Sequence, residues 1–312
     1  MRIAYFGTPP PAVEYLAALH ESRHEVVAVV TQPDRPAGRG RKLHPSPVRE
    51  AAESFGYKVM TPEAASDPDF IADLRECQPE LGVVVAFGQI LRPRLLELPA
   101  EGFVNVHYSL LPEFRGAAPV YGALLEGRGT TGVTVQRMVE RLDAGDIILQ
   151  QEIEIAEDDN RGTLTDRLTE VGVGVLRRAL DLIERGEAQP VAQDESKASY
   201  VGRVETDDCH IDWTLPGQDI KRLIRACTPW PGAWCLLGRD RLKVQDVRVS
   251  ETVLKEEGVP GEIVEIRGID GLFVLSGDGA VEILRLQPPG RKPMTGAEFV
   301  RGARLSAGDR LS

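Results

Sequence analysis

From the N-terminus, apolar residues fall into short continuous runs separated by amphipathic stretches. Ile3–Phe6 and Val26–Thr31 read as strands, and Val13, Leu16 and Leu19 between them share one helical face. Val83–Phe87 has no polar residue to mark an exposed side, which suits a parallel strand covered on both faces. Phe103–Val106 is another strand candidate. Farther on, Leu164, Leu168, Val171, Val175, Ala179 and Ile183 recur at helical spacing; Thr163 is placed to cap that helix and Gly186 to end it. This rhythm predicts a doubly wound, Rossmann-like α/β domain, in which ligands bind beyond the carboxyl ends of the strands.

After about residue 205 the texture changes. Ala188–Val204 is polar and aperiodic and reads as a linker. Gln218–Ala226 reads as a helix, and Leu242–Val249, Glu262–Ile266, Leu272–Leu275 and Val281–Leu286 read as short strands. Asp270-Gly271 and Asp278-Gly279 are hairpin-turn signals. A small β-barrel, OB-like, is the expected architecture. The expected division is an α/β domain over 1–188, a linker over 189–204 and a β-barrel domain over 205–312.

Composition narrows the function. Apolar residues are 42% and charged residues 27% of the 312, as in ordinary globular proteins. The net charge of −11 argues against a uniformly basic nucleic-acid binder but allows a local basic patch. Residues 205–312 carry 15 basic and 17 acidic side chains, so most of the negative charge lies before them. One segment stands against the trend. Between Arg35 and Arg49 lie Arg39, Arg41 and Lys42 and no acidic residue, with Gly38 and Gly40 among them; Pro33, Pro36, Pro45 and Pro47, spread over Gln32–Val48, should block regular structure. The longest aliphatic runs, Val26–Val30 and Leu81–Phe87, fall far short of a membrane span, and MRIAYFGTPPP is not a signal peptide. A monomeric cytoplasmic protein is expected. Cys209, His210, Cys227 and Cys235 have no usual zinc spacing, so no metal is expected. Gly7-Thr8-Pro9-Pro10-Pro11 lacks the glycine pattern and the backbone donors of a nicotinamide site.

Three polar residues carry candidate chemistry. Asn105 and His107 sit two apart at a strand end, so they share one side of the extended chain. Asp143 lies in a turn between two strand candidates. Taken singly, each also suits a turn or structural role.

Their flanking sequence points further. NVHYSLLP, then EFRGAAPVYGAL, then TGVTV and RLDAGDI, resemble the core of the folate-dependent formyltransferases, which act on glycinamide ribonucleotide, sugar nucleotides or methionyl-tRNA. The resemblance implies catalytic roles for Asn105, His107 and Asp143. It implies tetrahydrofolate contacts for Ser109, Leu110, Leu111 and Pro112, and pterin contacts for the turn Gly88-Gln89-Ile90-Leu91. Gln32–Val48 resembles a loop that the methionyl-tRNA branch inserts near its active site, implying tRNA contacts for Arg35, Arg39, Arg41 and Lys42. Ile211–Trp234 and Leu286–Met294 resemble that branch's C-terminal domain. Tyr108 departs from the small residue common there and is expected to narrow the pocket rim. The implied partners are 10-formyltetrahydrofolate as formyl donor and initiator methionyl-tRNA as acceptor. In the implied reaction an amine attacks a formyl carbon and the carbonyl oxygen gains negative charge. Asn105 and a protonated His107 suit donation to that oxygen. Asp143 suits favouring the charged imidazole and moving the amine proton.

Overall fold

The computed structural model describes residues 1–37, 42–250, 258–264, 271–303, 305 and 308–312, without the side chains of Ala37 and Lys42. The chain divides into two units. The first comprises Met1–Pro119, Thr130–Glu154 and Thr165–Val201; the second comprises Val120–Gly129, Ile155–Leu164 and Gly202–Ser312.

In the first unit, seven strands form one sheet: β1 (Arg2–Gly7), β2 (Glu25–Val30), β3 (Val59–Met60), β4 (Leu81–Val85), β5 (Phe103–His107), β6 (Thr130–Arg137) and β7 (Ile147–Glu154). Their order is β7-β6-β5-β4-β1-β2-β3. β3, β2, β1, β4 and β5 are parallel, while β6 runs antiparallel to both its neighbours, β5 and β7. The order reverses between β1 and β4, which makes that carboxyl edge the crevice of a doubly wound sheet. β4 is buried at every residue, in keeping with its unbroken apolar run. It ends at Val85, two residues earlier than expected, because Ala86 turns into the left-handed region at φ 48°. Phe6 anchors one face, with Phe70, Phe87 and Phe103 edge-on at 6.5, 5.3 and 5.3 Å. Such edge-to-face pairs match the ring quadrupoles.

Helix α1 (Pro10–His20) buries Ala12, Tyr15, Leu16, Ala18 and Leu19. The long helix α2 covers Arg161–Glu184. Its cap is Asn160 rather than Thr163: the Asn160 side chain accepts from the N–H groups of Gly162 and Thr163. Thr163 sits inside the first turn and returns a bond to the Asn160 N–H at 2.9 Å, a reciprocal capping arrangement. Gly186, at φ 66°, closes the other end. The aperiodic segment after it is held by hydrogen bonds, and Tyr200–Val201 pairs in parallel with Arg115–Gly116.

The second unit is built on an antiparallel sheet: β8 (Ala233–Leu237), β9 (Asp240–Val249), β10 (Ile263–Val264), β11 (Leu272–Leu275), β12 (Ala280–Gln287) and β13 (Met294–Thr295). The order is β8-β9-β12-β11-β10, with β13 on β12. Arg310 and Leu311 bridge to Glu262 and Leu237, so the chain's last residues link the sheet's two ends as a barrel requires. Helix α3 (Gly217–Cys227) packs Ile220, Leu223 and Ile224 inward. Its cations are engaged within the unit: Lys221 with Glu157, Arg222 with Asp219, and Arg225 with the Asp159 and Ala156 carbonyls. Trp230 is 61% exposed, with the Arg161 guanidinium 5.6 Å from its ring centre. Cys209, Cys227 and Cys235 are all buried. Among the described residues, no helix is long and apolar enough to cross a membrane.

Candidate active site

The three candidate residues converge at the carboxyl edge of the first sheet. Asn105 and His107 lie on β5, facing Gln136 and Thr134 of β6 across the antiparallel pair. Asn105 is half-buried, and among the described residues its amide has no hydrogen-bond partner. It remains free to meet a substrate. His107 is 6% exposed. Its Nε2 lies 2.8 Å from the Phe114 carbonyl, an acceptor, so that nitrogen carries a proton. Nδ1 is left facing Asp143, 3.8 Å from Oδ2.

Asp143 sits in the β6–β7 turn in the left-handed region, at φ 47°. Aspartate tolerates that conformation better than most residues. Its carboxylate is held at both oxygens: the Gly116 N–H donates to Oδ2 at 2.8 Å and the Gln136 amide to Oδ1 at 3.2 Å. A second ring of side chains, invisible to pattern reading, supports this one. Arg115 is fully buried and donates to Gln193 and to Glu195. It also donates to the Tyr200 hydroxyl. Hydrogen bonds from Arg115 and then Arg141 hold the Glu195 carboxyl down to about 2.

The segments expected to meet a folate behave in two ways. Ser109 is fully buried, and its hydroxyl donates to the Glu113 carbonyl. Thr134 donates to the Ser109 carbonyl and accepts from the Leu111 N–H, and Gln150 donates to the Leu111 carbonyl. The polar groups there are committed to the fold, and Leu110 and Pro112, both half-buried, offer apolar surface. The turn after β4 differs. Gly88 is exposed at φ 86°, and Ile90 is 68% exposed. Among the described residues, the main-chain N–H groups of Gly88, Gln89, Ile90 and Leu91 make no main-chain hydrogen bond. The Gln89 side chain is occupied, accepting from the Ala65 N–H and donating to the Pro62 carbonyl. Leu91 belongs to the apolar core. This turn therefore presents free backbone edges beside one apolar side chain, which is what a flat, amide-rich heterocycle needs.

Thr8 and Gln32, at the ends of β1 and β2, both donate to the Phe87 carbonyl and tie the crevice floor together. Arg35 is exposed and donates to Gln32. Arg39, Arg41 and the Lys42 side chain lie outside the described residues. The prolines around them do not prevent order: Arg35–Ala37 pairs antiparallel with Lys42–His44. A two-stranded ribbon tolerates Pro36 wherever its missing N–H would face outward. Tyr108 follows β5, and its hydroxyl meets Thr169 of α2 at 2.7 Å.

A half-buried amide, an imidazole and a doubly held carboxylate at the edge of such a sheet suit acyl or formyl transfer to an amine. The chain belongs to the formyl transferase family: residues 1–180 match the formyl transferase domain and residues 203–304 its C-terminal domain. Within it, the chain is 44% identical over 311 residues to the methionyl-tRNA formyltransferase of Moorella thermoacetica, covering 100% of this chain and 99% of that one. It is 42% identical to the methionyl-tRNA formyltransferase of Bacillus licheniformis, covering 99% and 98%. Among solved structures it resembles WlaRD, a sugar 3N-formyl transferase determined in the presence of dTDP and 5-N-formyl-THF. That match has a TM-score of 0.67 at 18% identity, over 94% of this chain and 99% of that one. HypX from Aquifex aeolicus gives a TM-score of 0.66 at 18% identity, over 99% of this chain and 48% of that one. At that identity the likeness is one of fold.

Proposed function

We propose that this protein moves the formyl group of 10-formyltetrahydrofolate to the α-amino group of methionyl-tRNA, in the cytoplasm, where translation initiation uses the product. The observation that carries the reading is full-length identity above 40% to relatives of that name, joined to the Asn105–His107–Asp143 constellation. The catalytic residues lie in the first unit, and residues 205–312 are assigned to tRNA docking.

The geometry supports the following chemistry. The aminoacyl amine attacks the formyl carbon, and a C–N bond forms as the carbonyl oxygen becomes anionic. Asn105 donates its free amide N–H to that oxygen. His107, with Nε2–H pinned to Phe114, presents Nδ1 to the same region and donates from there when the ring is charged. Asp143 accepts the proton released by the amine. Collapse breaks the bond between the formyl carbon and the folate nitrogen, and the proton passes to that nitrogen. Gly88–Leu91 supplies main-chain donors and acceptors for the pterin edge, with Ile90, Leu110 and Pro112 as apolar walls. Arg35, Arg39, Arg41 and Lys42 receive the acceptor end of the tRNA.

The test is a competition among acceptors. With 10-formyltetrahydrofolate as donor, formyl transfer to charged initiator tRNA is expected to exceed transfer to an amino-sugar nucleotide or to glycinamide ribonucleotide by at least ~10³ in kcat/KM, since a site built for one polar acceptor leaves groups unpaired with another. Comparable rates on a small acceptor would overturn the assignment.

A further inference from the structure

We propose that Gln193 is a positioning residue for Asp143, acting through that residue's main chain; the proposal rests on the reading of Asp143 as the proton acceptor. Gln193 lies in the aperiodic segment after α2. Its Oε1 accepts from Arg115 Nε and Nη2 at 3.1 and 2.8 Å. That pairing settles which end of the amide is which, because a guanidinium can only donate. The NH2 group is thereby aimed at the β6–β7 turn. It donates to the Asp143 carbonyl at 2.8 Å and the Gly145 carbonyl at 2.7 Å, and lies 3.2 Å from Gln136 Oε1.

The turn needs such a clamp. Asp143 holds φ 47° without being glycine, and a residue in that region persists when its surroundings over-determine it. Leu142 beside it is 62% exposed and offers little packing, and the Ala144 N–H reaches the Arg141 carbonyl only at 3.4 Å. Gln193 supplies the short bonds. Gln136 completes the cluster: its NH2 donates to Asp143 Oδ1, which leaves its Oε1 facing the Gln193 amide at 3.2 Å. Arg115 joins both ends of the arrangement. Its guanidinium orients Gln193, while the next residue, Gly116, donates its N–H to Asp143 Oδ2. Gln193 touches no reacting atom; it fixes where the carboxylate stands.

The experiment compares Gln193→Ala, Gln193→Glu, Asp143→Asn and the double variant Gln193→Ala/Asp143→Asn, with turnover expressed per native molecule from thermal melts of each full-length protein. Gln193→Glu keeps the acceptor for Arg115 and gives up both hydrogen bonds to the turn carbonyls, so it separates positioning from mere packing. Both Gln193 variants are expected to lose ~10- to 100-fold in kcat, with KM for either substrate moving less than ~3-fold, the pattern of a misplaced catalytic group. In the Asp143→Asn background, Gln193→Ala is expected to cost no more than ~2-fold further, because its effect runs through Asp143. Wild-type kcat in Gln193→Glu and Gln193→Ala beside an impaired Asp143→Asn would overturn the proposal, as would fully additive losses in the double variant. Wild-type kcat in Asp143→Asn would instead overturn the role given to Asp143.

Discussion

At the residue scale, the environments of Asn105, His107 and Asp143 separate effects that a motif alone would merge. Asn105 has a half-exposed amide without a partner among the described residues, so Asn105→Ala is expected to lower kcat by about 10²-fold or more with little change in melting temperature. His107 does double duty. Its Nε2–H donates to the Phe114 carbonyl in a buried setting, and losing such a hydrogen bond costs about 0.5–1.5 kcal/mol. His107→Ala is therefore expected to melt several degrees lower as well as turn over at least ~10²-fold more slowly. Asp143→Asn preserves shape and tolerates the left-handed turn, so it is expected to melt near wild type and still lose about 10²-fold or more in kcat. Thermal melts beside single-turnover rates check all three. Full turnover in a well-folded variant would remove that residue from the mechanism. The sequence made these three legible because a two-residue spacing on a strand and a turn between strands are local patterns. Gln193, Gln136 and Arg115 left no such mark. Their partners are fixed only when distant segments meet, and Gln193 lies 50 residues beyond Asp143.

At the element scale, local periodicity placed strands and helices well and their ends less well. β4 stops two residues early because one backbone dihedral, at Ala86, changes sign, and no hydropathy pattern reports that. The cap of α2 moved from Thr163 to Asn160 because both residues suit the role and the reciprocal bonds choose between them. The ribbon Arg35–Ala37 with Lys42–His44 formed despite its prolines. Short strands also shape the candidate site. Arg115–Gly116 pairs with Tyr200–Val201 and so delivers the Gly116 N–H to Asp143. Gly116 sits at φ 110°, and an added Cβ would lie 2.4 Å from the Val201 carbonyl oxygen. Gly116→Ala is expected to destabilise the protein by about 2 kcal/mol or more and to lower kcat as the N–H moves off the carboxylate. An unchanged melting temperature with normal turnover would show that this pairing does not set the site.

At the scale of the whole molecule, an acidic chain has to receive a polyanion. The net charge is −11, and the field at long range opposes tRNA, so the approach depends on a local reversal. The segment from Arg35 to Arg49 is the place proposed for it. The structure removes one of its five cations, since Arg49 is paired with both Asp34 and Glu53. It gives the remainder a base: Arg35 donates to Gln32, which donates to the Phe87 carbonyl at the crevice floor. The paired strands Arg35–Ala37 and Lys42–His44 thus start from the same edge of the sheet as Asn105 and His107. On the proposed reading, positive charge carried on that base aims the aminoacyl end at the formyl carbon rather than strengthening folate binding. Arg41→Ala with Lys42→Ala is therefore expected to raise KM or lower kcat for methionyl-tRNA while leaving folate affinity within ~2-fold. The salt dependence of tRNA binding should flatten by about 0.7–0.9 in log–log slope for each phosphate that the variant no longer neutralises. Titrating tRNA at several salt concentrations against both proteins measures that slope. Equal slopes and equal kinetics would leave the segment a solvated surface feature and move tRNA recognition elsewhere on the molecule.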